Sequence, residues 1–483
     1  MPSGRQASRY IIVVMRRSAA FFATALIVGI FAQVAPWTAR AQTAVAFTKT
    51  TAERIDRIAI GEIHAGRTPG IAIGVVVDGR LVYDRGFGFA TILPHASMTP
   101  ATESYGGGLT AQFTAASILL LAQDGKLKLD DPVSKYVPEF HLGAGVTIAQ
   151  LLTQTSGLPN YVGAPGIPND FTHTIKLATL LAAVDAMKPR AAPGTVYDKN
   201  PLNYMLAGLI VERASGVTLS DYLEQHIFIP LVMDHSFLAG DNGIAPAHAT
   251  GYLKNAQGFT PAPVWDPAWL DGDAGLVSTI DDLAKWDIEM PVLLRVDAMR
   301  TMFTPPSIAG QTHYGMGWVV DRRGGQEYVW SNGAIPGYRA LNVLLPNQHV
   351  GVIVFSNADA PRGVTVPEEV GARILDVLVP RSTAALDNAV IARAKEWLSR
   401  LASRRLDRSE LTPEFSAYLT DDLVAHEDIA ALGRLQTIVP LSSTVEPNGD
   451  TLYEFLVRYP RAQYRYKFEI APSGKIDGLT LVS

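Results

Sequence analysis

ESYGGGLTAQFTAA, at residues 103–116, places three consecutive glycines directly before an apolar segment. A turn that leads into a helix presents backbone N–H groups and the positive end of the helix dipole, and both stabilise a nucleophile or an anion. Gly106, Gly107 and Gly108 fill this junction, so no nucleophilic side chain stands there. The following segment, residues 112–123, is apolar on nearly every side, which predicts a buried helix.

The flanking sequence predicts strands at both ends of one domain, over residues 45–382, and helices between them. Residues 71–77 and 80–86 are β-branched runs around Asp78-Gly79, a pattern typical of a hairpin. Apolar helical segments follow in the middle, and further strands and a closing helix are predicted over residues 314–321, 326–330, 338–345, 351–356 and 367–379. The sheet must therefore combine strands from both ends of the domain, with an all-helical subdomain beside it.

A second, smaller α+β domain is predicted over residues 386–483, after a boundary near residues 380–387. Its sequence predicts an amphipathic helix, a short helix and four antiparallel strands, over residues 388–405, 421–432, 435–445, 451–459, 462–470 and 476–482. Asn448-Gly449 and Ser473-Gly474 are turn signals between these strands. This domain contains no cluster of residues that indicates chemistry.

Composition narrows the classes of partner. The chain has 483 residues, of which 48% are hydrophobic and 18% are charged, and this balance is typical of a globular protein with a sizeable core. A formal net charge of -5 argues against a nucleic-acid partner, because no basic surface is available to neutralise phosphates. A small-molecule or saccharide ligand fits better.

Residues 1–41 are predicted to be a signal peptide. Four arginines precede the apolar run at residues 19–34, and Ala39-Arg40-Ala41 is a small-x-small cleavage site. A single membrane anchor is the alternative, but the apolar run is short and contains Gln33. The chain has no cysteine, so disulfides and thiolate sites are excluded. We therefore expect a periplasmic or secreted protein, cleaved after Ala41, with no stable membrane span.

Several motifs in fixed order resemble the serine β-lactamase and penicillin-binding-protein-like superfamily, in particular class C β-lactamases, D-alanyl-D-alanine carboxypeptidases and related esterases. The resemblance spans about residues 68–379. The motifs that carry it are QFTA at 112–115, GKLKLDDPV at 125–133, LLTQTSGLP at 151–159, PG at 193–194, GLI at 208–210, PL at 230–231, GLVST at 275–279, YGMGW at 314–318 and PGY at 336–338. It implies an α/β (α+β) fold: a β-lactamase/transpeptidase-like antiparallel sheet flanked by helices, with an all-helical subdomain and the small C-terminal α+β domain.

The resemblance also implies a catalytic set that this sequence lacks. Family members use a serine with a lysine three residues later, a Tyr-x-Asn loop and a His-x-Gly or Lys-Thr-Gly strand for acyl transfer. Aligned without gaps, Gly108 and Ala111 stand at the serine and lysine positions, Lys199 at the tyrosine position and Ser331 at the histidine position. A shifted register would place Tyr197 in the tyrosine position, but it would still have no nucleophile to activate.

Two hypotheses follow. The favoured one is a repurposed hydrolase that uses cleft carboxylates as general acid and base, on a glycan or another cell-envelope saccharide. Its catalytic candidates are Asp198, Lys199, Asp271 and Asp273. The glycines would form an enlarged cleft floor, and the substrate-binding candidates are Glu103, Tyr105, Gly108, Tyr161, Trp265, Ser331 and Asn332.

The alternative is a non-catalytic pseudoenzyme that binds a peptidoglycan-type ligand or a protein partner. Conventional serine β-lactamase, carboxypeptidase or esterase activity is the least favoured hypothesis. No metal site is expected, because the histidines show no ligand spacing on a helix, and no cofactor is expected.

Overall fold

The structure, a computed structural model, describes residues 45–482 except 163, 165, 169, 240–248, 309–312, 324–325, 360–364, 380–387, 421–431, 446–448 and 461. The predicted signal peptide at residues 1–41 and the predicted boundary at 380–387 lie outside the described residues, and so does nearly all of the short helix predicted near 421–432. None of the helices that are described has both the length and the apolar composition needed to cross a membrane.

Helices and strands are numbered separately along the chain. The helices are α1 Lys49–His64, α2 Thr110–Gln123, α3 Ile148–Leu152, α4 Leu177–Asp185, α5 Pro201–Ser215, α6 Leu219–Leu223, α7 Asp271–Ala274, α8 Ile280–Leu293, α9 Val296–Met302, α10 Val366–Leu378, α11 Asn388–Ala402 and α12 Pro413–Tyr418. The strands are β1 Gly70–Val77, β2 Arg80–Thr91, β3 Ala96–Ser97, β4 Ser104–Gly107, β5 Phe237–Leu238, β6 Tyr252–Asn255, β7 Gly258–Pro261, β8 Leu276–Ser278, β9 Val319–Arg323, β10 Gln326–Ile335, β11 Tyr338–Leu345, β12 Val350–Ser356, β13 Ala358–Asp359, β14 Thr437–Val445, β15 Thr451–Arg458, β16 Gln463–Ile470 and β17 Ile476–Val482.

The main sheet joins the two ends of the first domain. Its seven strands run in the order β3-β2-β1-β12-β11-β10-β9, and the pairings are antiparallel. Strand β1 is buried along its whole length and pairs with β12 from Ile71 opposite Ser356 to Val77 opposite Val350. Helices α1 and α10 pack together, α10 lies against β11 and β12, and α8 also packs on β1 and β12. The predicted antiparallel sheet flanked by helices is therefore confirmed.

Helix α2 is the centre of the helical part. Eleven of its fourteen residues are buried, which agrees with its apolar sequence on all sides. It packs against α5 and α7, where the Thr114 hydroxyl donates to the carbonyl of Gly272 at 2.7 Å. A Cβ on Gly272 would lie 2.5 Å from the Tyr204 carbonyl oxygen, so glycine is required for α7 to approach α5. This approach places α7, which carries Asp273, against α2 and α5.

The glycine junction differs from its prediction. Residues 104–107 form strand β4, which pairs with β8 from Ser104 opposite Ser278 to Gly107 opposite Leu276, rather than a turn. Gly107 has a φ of +52°, which ends the strand and turns the chain into α2. The Thr110 hydroxyl donates to the Gly107 carbonyl at 2.6 Å and accepts from the Leu276 N–H at 2.9 Å. The start of α2 is thereby fixed to both strands.

The C-terminal segment has its own sheet and core. Strands β14 to β17 form a four-stranded antiparallel sheet in sequence order. Its hydrophobic cluster includes Trp397 of α11, Phe455 of β15 and Phe468 of β16. Lys467 of β16 forms a buried ion pair with Asp321 of β9, at the edge of the main sheet. A charged contact therefore joins the two sheets.

We expect Asp287→Asn to stabilise the protein at pH 8. The Asn342 side-chain N–H donates to Asp287 Oδ1 at 2.7 Å, while Asp287 Oδ2 and Asn342 Oδ1 are shielded from water and have no hydrogen-bond partner among the described residues. Burial raises the pKa of Asp287 well above its ordinary value, so its contribution to stability is present at low pH and is lost as pH rises towards the raised pKa. An asparagine needs no proton and can donate to Asn342 Oδ1.

Denaturation of the Asp287→Asn variant should show a gain of about 1 kcal/mol at pH 8 and a smaller gain at pH 4. The control is Asp297→Asn, because the side chain of Asp297 on α9 is 75% exposed. Equal stability of wild type and Asp287→Asn at both pH values would contradict a buried neutral carboxyl.

Candidate functional site

The glycines of residues 106–108 pack against the backbone of strand β10. A Cβ on Gly108 would lie 2.7 Å from the Asn332 carbonyl oxygen, and a Cβ on Gly107 would lie 2.7 Å from the Ala334 nitrogen. On the opposite strand, a Cβ on Gly333 would lie 1.6 Å from the Gly106 carbonyl oxygen. At Gly107 and Gly108 the predicted enlarged floor is therefore wrong, because β10 fills the space of the missing side chains.

This contact predicts that Gly108→Ser destabilises the protein. A serine Cβ meets rigid backbone rather than a movable side chain, so β4 or β10 must shift, at a cost of about 1–3 kcal/mol. The matched control is Gly145→Ser, because nothing lies within 4 Å of a Cβ on Gly145. Chemical denaturation of both variants measures the difference. Equal stability of the two would show that β10 does not restrict position 108.

Asp273 is a carboxyl with a changed acidity that lies within the electrostatic influence of Lys199. It lies on α7 and is partly exposed. Burial raises the pKa of Asp273 to about 7, and the nearby charge of Lys199 acts in the opposite direction. A group with this pKa exchanges its proton near neutral pH, as a general acid or base requires. Asp273 and Lys199, both predicted catalytic candidates, are therefore brought together.

Tyrosines surround Asp273. Burial raises the pKa values of Tyr161, Tyr204 and Tyr314, and the negative charge of Asp273 adds to each of these shifts. Tyr314 donates a side-chain hydrogen bond to the Tyr204 oxygen, and the Tyr204 hydroxyl donates to the Leu152 carbonyl at 2.7 Å. The phenols of Tyr204 and Tyr314 are thus held in a fixed chain beside the carboxyl.

Tyr197 extends this group towards the cleft. Its ring lies 5.9 Å from the ring of Tyr314, and burial raises the pKa of Tyr197 to about 12. The sequence suggested Tyr197 only in a shifted register and gave no indication of Tyr204. Tyr314 stands in the YGMGW motif at 314–318, which was the available signal for it.

Lys199 and Asn332 meet across the cleft. The exposed Lys199 ammonium donates to Asn332 Oδ1 at 3.4 Å. The other end of the Asn332 amide donates to Glu368 Oε1 at 2.8 Å. Ser331, the neighbouring substrate-binding candidate, is buried on β10. Lys199 and Asn332 therefore lie together as predicted, and Glu368 of α10 is a cleft residue that the sequence did not indicate.

The other acidic candidates have different surroundings. Asp198 forms an ion pair with Arg190 at 3.0 Å, and its backbone N–H donates to the Gln154 carbonyl at 2.9 Å. Asp271 begins α7 with a φ of +22°, and its carbonyl accepts from the Gly275 N–H at 3.2 Å. The carboxylate of Glu103 lies 3.6 Å from His235. Asp198 and Glu103 therefore each have a basic partner of their own.

The aromatic candidates pack within the protein. Tyr105 is 3% exposed and its ring lies 5.1 Å from that of Tyr338, so it belongs to the core and not to the ligand surface. Tyr161 is also 3% exposed, with its ring 5.8 Å from Trp269. Trp265 stacks on Phe171 at 4.7 Å. Tyr161 therefore offers no exposed ring face to a saccharide, whereas Trp265 is partly exposed and its role in binding stays a prediction.

Histidines and carboxylates do not assemble into a metal site in the part of the chain that the structure describes. No group of three or more such residues there is arranged to hold a metal ion.

Comparison with known proteins agrees with this architecture. Residues 48–373, more than half of the chain, match the Beta-lactamase family model. The chain is 26% identical over 343 residues to Protein flp of Staphylococcus aureus (strain MW2), covering 68% of each protein. It is 31% identical over 289 residues to the putative penicillin-binding protein PbpX of Bacillus subtilis (strain 168), covering 59% of this chain and 69% of that protein.

Solved structures with low sequence identity share the fold. The octameric penicillin-binding protein homologue from Pyrococcus abyssi has a TM-score of 0.60 at 22% identity and covers 89% of this chain and 98% of its own. That share of this chain requires the match to extend past residue 373 into the C-terminal segment. D-amino acid amidase from Ochrobactrum anthropi SV3 has a TM-score of 0.60 at 21% identity and covers 68% of this chain and 98% of its own.

Proposed function

Because the chain belongs to the beta-lactamase family, we propose that it keeps the cleft of that fold but hydrolyses its substrate without a serine acyl-enzyme. The observation that carries this proposal is the carboxyl of Asp273, whose pKa is raised to about 7 by burial, beside the charge of Lys199. Strongly shifted acidities of this kind concentrate at catalytic sites. The proposed reaction is direct attack of water on a carbonyl carbon.

The residues at the start of α2 support a route without serine. Gly108 and Ala111 occupy the positions at which the family resemblance places the serine and lysine. The hydroxyl of Thr110, the nearest one on this helix, is buried and engaged with Gly107 and Leu276. A covalent intermediate would need a free nucleophile at this place.

Asp273 and Lys199 can divide the proposed reaction between them. The ionised Asp273 carboxylate accepts a proton from water while the water oxygen attacks the carbonyl carbon. The Lys199 ammonium donates to the carbonyl oxygen, where negative charge develops. When the bond to the leaving group breaks, the protonated Asp273 returns the proton to that group, so the carboxylate is restored.

An ester or amide of the cell envelope fits this arrangement better than a glycosidic bond. Glycoside hydrolysis uses a pair of facing carboxylates, whereas a lysine accompanies Asp273 here and Asp198 is paired with Arg190. Export after cleavage at Ala41 is part of the proposal and is consistent with such a substrate. We propose that the protein binds no nucleic acid and has no stable membrane span after cleavage. The ligand is a small molecule or a short fragment.

The proposal is tested with the purified chain and a panel of esters, amides and saccharides. We expect turnover of an ester or amide, and no covalent adduct with a penicillin-type probe by intact mass. Lys199→Met should reduce kcat by about 100-fold, the size of effect seen when one oxyanion donor is removed. Lys475→Met, at an exposed lysine in the turn between β16 and β17, is the control. A stoichiometric adduct, or turnover that Lys199→Met leaves unchanged, would overturn the proposal.

A binding protein without catalysis is the second candidate. It is favoured by the close packing of residues 106–108 on β10, which leaves no room for a reacting side chain. In this case a cell-envelope ligand or a protein partner would bind the cleft without being consumed. Saturable binding that Asp273→Asn weakens, with no turnover across the panel, would select this function over the hydrolase.

A further inference from the structure

Glu368 stands at the start of α10 and has more contacts than a helix cap requires. Its Oε2 accepts from the Thr365 N–H at 2.9 Å, and the Thr365 hydroxyl accepts from the Glu368 N–H at 3.5 Å, which together form a capping box. Its Oε1 is not used for the cap. That oxygen accepts from the Asn332 side-chain N–H at 2.8 Å. One carboxylate therefore joins the start of α10 to strand β10.

This contact decides which end of the Asn332 amide faces the cleft. A carboxylate can only accept hydrogen bonds, so the NH₂ group of Asn332 must point to Glu368 and its carbonyl oxygen must point away from it. The carbonyl oxygen is the atom that accepts from the Lys199 ammonium at 3.4 Å. If the amide were reversed, an N–H donor would face the ammonium and repel it.

The long distance between Lys199 and Asn332 also has a consequence. A contact of 3.4 Å is longer than the usual N–H···O hydrogen bond and is therefore weak, so it can orient the ammonium and still be exchanged for a bond to a substrate oxygen. The neighbouring Glu369 accepts from Arg67 at 2.6 Å and from Gln463 at 3.4 Å, which fixes this end of α10. These contacts of Glu369 hold the first turn of α10, on which Glu368 stands, in place.

From these contacts we propose that Glu368 is a positioning residue that orients Asn332 and, through it, holds the Lys199 ammonium over the cleft. Its contribution to the rate rests on the proposed function, whereas its hold on Lys199 does not. Glu368 touches no reacting atom. Glu368 lies 36 residues from Asn332 in the sequence. Lys199, which contacts the other end of the Asn332 amide, lies 133 residues from Asn332.

The test measures Lys199 directly, without an activity assay. The full chain is treated with acetic anhydride, and acetylation of Lys199 is compared by mass spectrometry with that of the exposed Lys475 in the same sample. Glu368→Ala should raise the relative labelling of Lys199 by about threefold, as expected when one weak hydrogen bond is lost. Glu368→Gln keeps one acceptor oxygen, which can serve the Asn332 N–H at the expense of the cap bond to Thr365, and should remain closer to wild type than Glu368→Ala.

Thr365→Ala is the matched control, because it weakens the same helix cap while leaving the Glu368 carboxylate in place. Unchanged labelling in Glu368→Ala, or an equal rise in Thr365→Ala, would overturn the proposal. For a hydrolysed substrate, Glu368→Ala should lower kcat and Glu368→Gln should restore it. Absence of turnover in every protein, together with the expected labelling pattern, would refute the hydrolase while supporting the positioning role.

Discussion

Asp273→Asn should reduce hydrolysis by about 10²- to 10⁴-fold, the contribution usual for a positioned acid or base. Asparagine has nearly the same shape but cannot accept a proton from water. The fold should survive the change, because an amide carries no charge and therefore avoids the cost of burial that raises the pKa of Asp273. Steady-state kinetics and thermal denaturation of the same samples separate loss of chemistry from loss of structure.

The dependence of kcat/KM on pH is a second measurement that tests the role of Asp273. Asp273 acts as a base only when it is ionised, so kcat/KM of the wild type should rise with pH and level off above about 7, the raised pKa of this group. Any residual activity of Asp273→Asn should lack this step. Asp281→Asn is the control, because burial also raises the pKa of Asp281, which lies on α8. Equal losses in both variants would show that the effect is not specific to Asp273.

Lys467→Met should destabilise the protein by about 3 kcal/mol, because it leaves a buried charge without its partner. The side chains of Lys467 and Asp321 are each 5% exposed, and the Tyr328 hydroxyl donates to Asp321 Oδ2 at 3.2 Å. Burial acts to raise the pKa of Asp321, but the charge and hydrogen bond of Lys467 outweigh it and hold that pKa below its ordinary value. Urea denaturation measures the loss, and Lys475→Met at an exposed lysine should be neutral.

The double variant Asp321→Asn/Lys467→Met separates charge from packing. Removing both charges leaves no uncompensated ion, so it should be more stable than Lys467→Met alone. Because the pKa of Asp321 is lowered in the folded protein, its stabilisation is present at neutral pH and is lost as pH falls through that lowered value. The difference between wild type and Lys467→Met should therefore shrink at low pH. A constant difference would argue that the lysine acts by packing alone.

Much of the fold could be predicted because hydrophobic periodicity is local information. The β-branched run that became β1 and the all-apolar sequence of α2 each indicate their own burial. The junction before α2 was misjudged for a physical reason. Glycines indicate conformational freedom, but only the fold shows that Gly108 and Gly333 are there to let two strands approach each other.

The candidate site was predictable only in part. Motif spacing made Lys199, Asp273 and Asn332 candidates, and the structure places Lys199 close to both of the others. Tyr105 proved to be buried against Tyr338, since an aromatic residue beside a turn gives no sign of whether another ring will cover it. Glu368 had no sequence signal beyond a helix cap, and its contact with Asn332 depends on how α10 packs beside β10.

The sequence by itself determined which reactive groups are present: Gly108 and Ala111 have neither hydroxyl nor amine, and no arrangement of the chain can supply them. Only the tertiary structure decided the acidity of Asp273. A pKa depends on desolvation and on nearby charges. For Asp273 these are its burial in the folded chain and the charge of Lys199, 74 positions earlier in the chain. The order of residues lists the chemical groups, whereas distance and burial decide what those groups can do.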